Sequence, residues 1–199
     1  MYHLVQYLIV MAVDSLAPRQ RLLDELLTHL DEHGLKDTSL RGLASAVGTS
    51  HRMLSYHFGS RRRLLIDVTR EVEHRQRTAL AGMQTEPDMS PTEVMWSMYH
   101  RVTDPALWPQ ERLFFELYAR ALQGDPETRA LLEDAVEGWL APLVELFEHL
   151  GFRGADAAAE ARLALSVSRG LLLDLLATGD RPAVDAAMAR YMHRYDDRS

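Results

Sequence analysis

The chain has 199 residues, 47% of them apolar and 26% charged, and a net charge of -7. That is room for one large domain or two small ones of ordinary soluble globular composition. It has no cysteine, which excludes a disulfide framework and any thiolate metal site.

The chain opens on MYHLVQYLIVMAV, an apolar stretch of 13 residues. No Lys or Arg precedes its apolar run and no A-x-A site follows it, so it does not read as a signal peptide. It is also too short to span a bilayer. Residues 1–17 are therefore an N-terminal extension. Two readings stay open: an arm that packs on the domain, or sequence lying upstream of a true start at Met11.

Helical periodicity dominates the rest of the chain, and strand signals are almost absent. Leu22, Leu23, Leu26, Leu27 and Leu30 make one apolar face over about 18–33, and Gly34 is a natural stop. A short second helix is expected after Ser39, lined by Leu40, Leu43, Ala44 and Val47 and ended by Gly48. A third begins at Thr49 or Ser50, carries Met53, Leu54 and Phe58 inward, and stops at Gly59. Two short helices joined by VGTS form a helix-turn-helix pattern, whose second helix can enter a DNA major groove by its N-terminus. Here that end reads Ser50-His51-Arg52, and an arginine can grip guanine O6 and N7 in a bidentate fork.

Charge sets this region apart. From Pro18 to Arg63 eight basic residues face five acidic ones, whereas from Leu64 onward 14 face 23. Between Arg41 and Arg63 there are five arginines, two histidines and no acid. A local basic face on an acidic body suits a polyanion binder.

Beyond it, Ser60 can cap a fourth helix reaching about Gly82. MQTEPDM reads as a linker, and Ser90-Pro91-Thr92-Glu93 as a capping box with proline in the first turn. The fifth helix so opened is broken by TDPALWP. A sixth is expected over about 110–123, and a seventh from Asp125-Pro126 to Leu150 with a proline, Pro142, inside it. The eighth, about 155–177, is apolar nearly all round, and a helix with so little polar face needs burial on more than one side. A partner subunit would supply the second surface, and the ninth helix, about 182–195, comes after it. His29 and His33 have metal-compatible spacing, but no carboxylate pattern supports a site. No metal, cofactor or catalytic nucleophile is expected.

The stretch RLLDELLTHLDEHGLKDTSLRGLASAVGTSHRMLSYHFGSRRRLL, residues 21–65, resembles the tetracycline-repressor (TetR) family of bacterial transcription regulators. The shared pattern is an amphipathic helix ending in EHG, a Thr or Ser before a short LRxLA helix, a G-x-S turn, a recognition helix closing in YHF, and a basic cap to the fourth helix. It covers about a quarter of the chain. Two departures stand out: Ser55 replaces a frequent tyrosine, and Arg62 and Arg63 replace frequent acids, which should strengthen nonspecific attraction to DNA.

The resemblance implies an all-α fold of about nine helices. It has an N-terminal three-helix DNA-binding domain over 18–63 and a C-terminal ligand-binding and dimerisation domain over 64–199. It implies DNA contacts at Arg41, Thr49, Ser50, His51, Arg52, Tyr56, His57 and Arg61, with His51 and Arg52 reaching base edges and Arg41, Tyr56, His57 and Arg61 holding phosphates. It implies an effector pocket among the aromatics of helices five to seven, with Trp96, Tyr99, Phe115, Glu116, Tyr118, Trp139 and Arg169 as candidates. The expected function is a cytoplasmic, non-enzymatic regulator acting as a homodimer. It would repress from a pseudo-palindromic double-stranded DNA operator and be released by a small-molecule effector, with no membrane involved. The alternative is an all-α small-molecule binding protein whose helix-turn-helix no longer functions.

Overall fold

The computed structural model describes residues 18–30, 32–33 and 39–198. The extension 1–17, the stop at Gly34 and Lys36 lie outside the described residues. Among the described residues all regular structure is helical: nine α-helices, two short 3-10 segments and no strand. The chain separates into two compact units, and the division falls at Thr69 and Arg70.

In the first unit, α1 covers 18–30 and 32–33. It buries Leu23, Leu26, Leu27 and Leu30, while Leu22 stays half-buried. Arg19 fastens it: Nη2 donates to Asp67 Oδ2 at 2.6 Å, and the guanidinium lies 4.9 Å from the centre of the Phe58 ring. On α1, His33 Nδ1 meets the His29 carbonyl at 3.2 Å and the two rings stack.

Helix α2, Leu40–Ala46, is capped by the Ser39 hydroxyl, which accepts from the Gly42 amide at 3.2 Å. Its end is a Schellman turn. The Thr49 amide reaches back to the Ala44 carbonyl (2.9 Å) and the Gly48 amide to Ser45 (3.3 Å), with Gly48 at φ 67°. That turn lets α3, His51–Phe58, start only two residues later, capped by Ser50 onto the Met53 amide at 3.1 Å. Leu54 and Phe58 are buried, as expected. Met53 is not: it is 44% exposed. In an eight-residue helix the buried stripe is only one side chain wide, and Leu54 and Phe58, four apart, already fill it.

Gly59 ends α3 in a tight reversal. Its φ of 73° and ψ of -72°, with Ser60 N bonded to Phe58 O at 2.9 Å, make a γ-turn of the positive-φ kind. Ser60 then caps α4, Arg61–Gln84, by accepting from the Arg63 amide at 3.1 Å. α4 is unbroken through the division between the units.

The second unit contains the rest of α4 and the helices α5, Pro91–Val102; α6, Trp108–Leu122; α7, Arg129–His149; α8, Gly154–Thr178; and α9, Arg181–Met192. The Ser90–Glu93 capping box is present, with both reciprocal bonds made. α6 starts at Trp108, two residues earlier than expected, with Pro109 in its first turn. α7 starts later than expected. Asp125 is used in a turn, its carboxylate accepting from the Glu127 amide and its carbonyl from the Thr128 hydroxyl, so the helix begins only at Arg129. α9 stops at Met192 and the chain tightens into a 3-10 segment, His193–Arg198. Tyr195 within it is buried, its hydroxyl donating to Glu160 Oε2 of α8 at 2.7 Å. No helix of the described residues is long and apolar enough to cross a membrane.

α8 is the central helix of this unit, packing on α6, α7 and α9. It buries Ala157, Ala161, Ala164, Leu172 and Leu175. A different face, Ala155, Ala159, Leu163, Gly170, Leu173 and Ala177, is exposed. It carries no charge, and Leu173 is 50% open. On α9, Ala183, Ala186 and Ala187 are exposed as well.

Candidate functional site

The first unit presents the expected DNA-contact residues on the turn and its flanking helices. Arg41 is exposed on α2. Thr49 is half-buried in the turn, and Ser50 spends its oxygen as the α3 cap. His51 and Arg52 are the first two residues of α3, and both are exposed. Tyr56, one turn on, is 77% exposed, unusual for a large aromatic side chain. His57 is half-buried against the rings of Tyr56 and Phe58, and its buried Nε2 has no hydrogen-bond partner among the described residues. Arg61 opens α4 and is half-buried, while Arg62 and Arg63 beside it are exposed. No acidic residue lies in the first turn of α2, α3 or α4. The first turns of these helices thus carry no carboxylate of their own against the positive ends of the helix dipoles.

The second unit holds a partly open cavity of about 110 Å³. Its walls are apolar and aromatic, with Met95, Met98, Phe114, Phe115, Trp139 and Leu143 among them. Of the residues expected in a pocket, Tyr99, Phe115, Trp139 and Arg169 line it. Three do not. Trp96 packs on Tyr99 and His100, with ring centres 5.9 and 5.6 Å away. Glu116 is exposed and pairs with Arg120 one turn on, at 3.0 Å. Tyr118 sits beside the Arg169 guanidinium, 6.0 Å from its ring centre, outside the lining.

The polar corner of the cavity comes from residues that periodicity alone did not single out: Glu73 and Gln76 of α4, Glu111 of α6 and Ser168 of α8. A signal was present. Thr69, Glu73, Gln76 and Leu80 have the spacing of a buried stripe, as do Glu111, Phe114 and Tyr118, so two glutamates stand on inward faces. Both are buried, Glu73 8% and Glu111 5% exposed. The Trp139 indole donates to Glu73 Oε2 at 2.7 Å, and Arg169 Nη2 lies 3.5 Å from the same oxygen. Arg169 also donates to the Ala135 carbonyl and lies 5.1 Å from the Phe114 ring centre. Gln76 Oε1 accepts from Arg101 Nε at 2.6 Å. The Tyr99 hydroxyl donates to Asp185.

Burial pushes the Glu73 carboxyl above the ordinary carboxylate range, against the pull of the Trp139 indole and Arg169. It also works against the Arg169 charge, but a guanidinium stays ionised inside proteins. Burial first, then the Glu73 charge, pushes Glu111 up to about 8. No group of three or more His, Cys, Asp or Glu able to hold a metal occurs among the described residues.

Comparison with known proteins fits this layout. Residues 22–68 match the family model for bacterial regulatory proteins of the tetR family. Solved structures resemble nearly the whole chain at low identity. A transcriptional regulator of Rhodococcus sp. Rha1 superposes with a TM-score of 0.69 at 18% identity, over 89% of this chain and 95% of that one. A TetR-family regulator of Pectobacterium atrosepticum gives 0.65 at 21%, over 92% of each chain. A Saccharomonospora viridis protein solved in complex with choline gives 0.65 at 20%, over 91% and 94%. No curated protein sequence matches the chain.

Proposed function

We propose that the chain, whose residues 22–68 match the tetR-family model, is a transcriptional regulator: a cytoplasmic repressor released from a pseudo-palindromic operator by a small-molecule effector. The observation that carries the DNA side is the acid-free helix-turn-helix. Arg52 and His51 stand exposed at the N-terminus of α3, and Tyr56 stands exposed one turn along it. An α-helix presented by its N-terminus suits major-groove reading. In this reading His51 and Arg52 meet base edges, Thr49 and Ser50 border them, and Arg41, Tyr56, His57 and Arg61 hold phosphates. Residues 18–63 form the DNA-reading part and 64–199 the part that binds ligand and pairs.

Two chains would pair through the uncharged exposed face of α8 together with α9. Two-fold pairing sets two recognition helices about 34 Å apart, one turn of DNA. The effector would occupy the second unit's cavity, which has the apolar lining and few polar groups of a small-ligand site. The choline held by the Saccharomonospora viridis neighbour is a precedent for a small organic ligand in this fold. Because α4 supplies Glu73 and Gln76 to the cavity and opens at Arg61, a ligand that favours one placement of α4 would change operator affinity. Such a ligand must bind the two states with different affinity.

The test is binding of the protein to the DNA upstream of its own gene, across a salt series. The expected result is a sequence-specific complex that weakens steeply with salt. Absence of any sequence-specific complex at every salt concentration overturns the reading.

A further inference from the structure

In the cavity's polar corner, nearly every polar group is already satisfied. Gln76 is taken by Arg101, Tyr99 by Asp185, and Glu73 by Trp139 and Arg169. Tyr191, which also lines the cavity, meets the Tyr195 hydroxyl at 2.9 Å. Arg169, the one cation of the lining among the described residues, is divided among Glu73, the Ala135 carbonyl and the Phe114 face. Glu111 and the Ser168 hydroxyl are the exceptions, and of the two only Glu111 can carry a charge. Glu111 is 5% exposed, it lines the cavity, and among the described residues its carboxyl has no hydrogen-bond donor, only the field of Arg169.

A buried carboxyl with no partner is costly unless protonated or given a positive charge. With both carboxyls ionised, the lining holds two negative charges and one positive; Arg77, outside the lining, acts on Glu73 together with Arg169, so Glu111 is the carboxylate for which a cationic ligand would complete a pair. The walls point the same way. Phe114, Phe115 and Trp139 offer aromatic faces, whose negative quadrupole attracts cations. An apolar body would fill the Met95, Met98 and Leu143 side.

We propose that the effector is an organic cation, a positively charged nitrogen on an apolar body, with Glu111 as its counter-ion and aromatic faces around the charge. This rests on reading the cavity as the effector site.

Proton release accompanies such binding. Before a ligand binds, burial and Glu73 favour the protonated Glu111 at neutral pH, with its titration at about 8. The cation takes the carboxylate, so its binding expels one proton to solvent. Its affinity therefore rises with pH up to about 8 and levels off above, by up to about tenfold per unit below that point. The charged groups bearing directly on this titration are Glu73 from α4 and Arg169 from α8; Arg77 from α4 and Asp134 from α7 act on Glu73, Tyr118 from α6 acts on Arg169, and Tyr99 from α5 and Tyr191 from α9 share the lining. None of the other carboxyls among them combines Glu111's burial with an unpartnered position on the lining.

The experiment is calorimetric titration of the full chain with three probes of one shape: 4-phenylbutylamine, 4-phenylbutanol and 4-phenylbutyrate. The amine should bind at least about tenfold tighter than the alcohol, and the acid weakest of the three, the sense expected of one added charge pair. Glu111→Gln should erase the amine's advantage while leaving the alcohol's affinity within about threefold, which also reports that the cavity is intact. On the unaltered protein, the amine-to-alcohol ratio should climb between pH 6 and 8. Equal binding of amine and alcohol, tightest binding of the acid, a pH-independent ratio, an unchanged preference in Glu111→Gln, or no binding of the amine at millimolar concentration would each overturn the proposal. Release of operator DNA by the same probes separates the two readings. If the alcohol or acid binds best and releases DNA, the cationic class fails and the effector site stands. If the amine binds as expected and no probe alters DNA binding, the cationic site stands and its role as effector site fails.

Discussion

Arg52 and Arg62 lie ten residues apart, both exposed, yet they should fail differently when removed. In the proposed reading, Arg52→Ala deletes the fork that meets base edges from the N-terminal end of α3. It should cost about 1–3 kcal/mol on the preferred operator and relax the preference at one base position. Arg62→Ala should weaken all DNA about equally and flatten the salt dependence by about one unit of slope. Fluorescence anisotropy with operator variants across a salt series reads both, and equal loss on every sequence for Arg52→Ala would refute its part in readout. The buried carboxyls offer a second pair of tests. Trp139→Phe removes the indole that donates to Glu73, and leaving that acceptor underbonded should cost about 1–3 kcal/mol in urea denaturation. Glu111 titrates higher in the folded chain than in the unfolded one. The protonated form therefore favours folding, and its contribution is complete below the unfolded carboxyl range and lost as pH rises toward about 8. Wild type should lose stability between pH 5 and 8 relative to Glu111→Gln, and parallel pH curves for the two would contradict this.

At the scale of the element, Gly59 is where the backbone has least choice. Its φ of 73° with ψ of -72° lies where a β-carbon is strained. Gly59→Ala should therefore destabilise the chain by about 1–3 kcal/mol, although the nearest side-chain atoms would be at an ordinary 3.6 Å. A thermal melt unchanged from wild type would show that the turn relaxes freely. The helices were legible in the sequence because their ends are written in it: Ser39, Ser50, Ser60 and Ser90 each cap the helix expected after them. Interior detail was less so. Met53 has the composition of an inward residue, but a helix of two turns has room for one buried stripe, and which neighbour fills it depends on the helices it packs against. Asp125-Pro126 has the composition of a helix start, yet the aspartate closes a turn instead. The cavity glutamates were hidden for a related reason. A glutamate on a helix is solvated by default, and only the placement of α4, α6 and α8 around one space turns Glu73 and Glu111 inward. Tyr99, Trp139 and Arg169 were legible because large or charged groups on apolar helices have few other places to go.

For the whole molecule, the exposed face of α8 sets the expectation. Leu173 stands in a run of small uncharged residues, where backbones can approach closely and a charge has no partner. Leu173→Glu should convert a pair of chains into single chains in sedimentation or light scattering while leaving the helical circular dichroism unchanged. A single-chain wild type at micromolar concentration would remove the pairing surface from the account. The same face has a consequence for dosage. A regulator that must find its own copy before both recognition helices can engage is, when scarce, a second-order device. Halving the number of chains leaves about a quarter of the paired form. Control by such a protein fades abruptly rather than gradually as cells dilute it, so an uncharged strip along α8 would set how sharply the regulated genes respond to its supply.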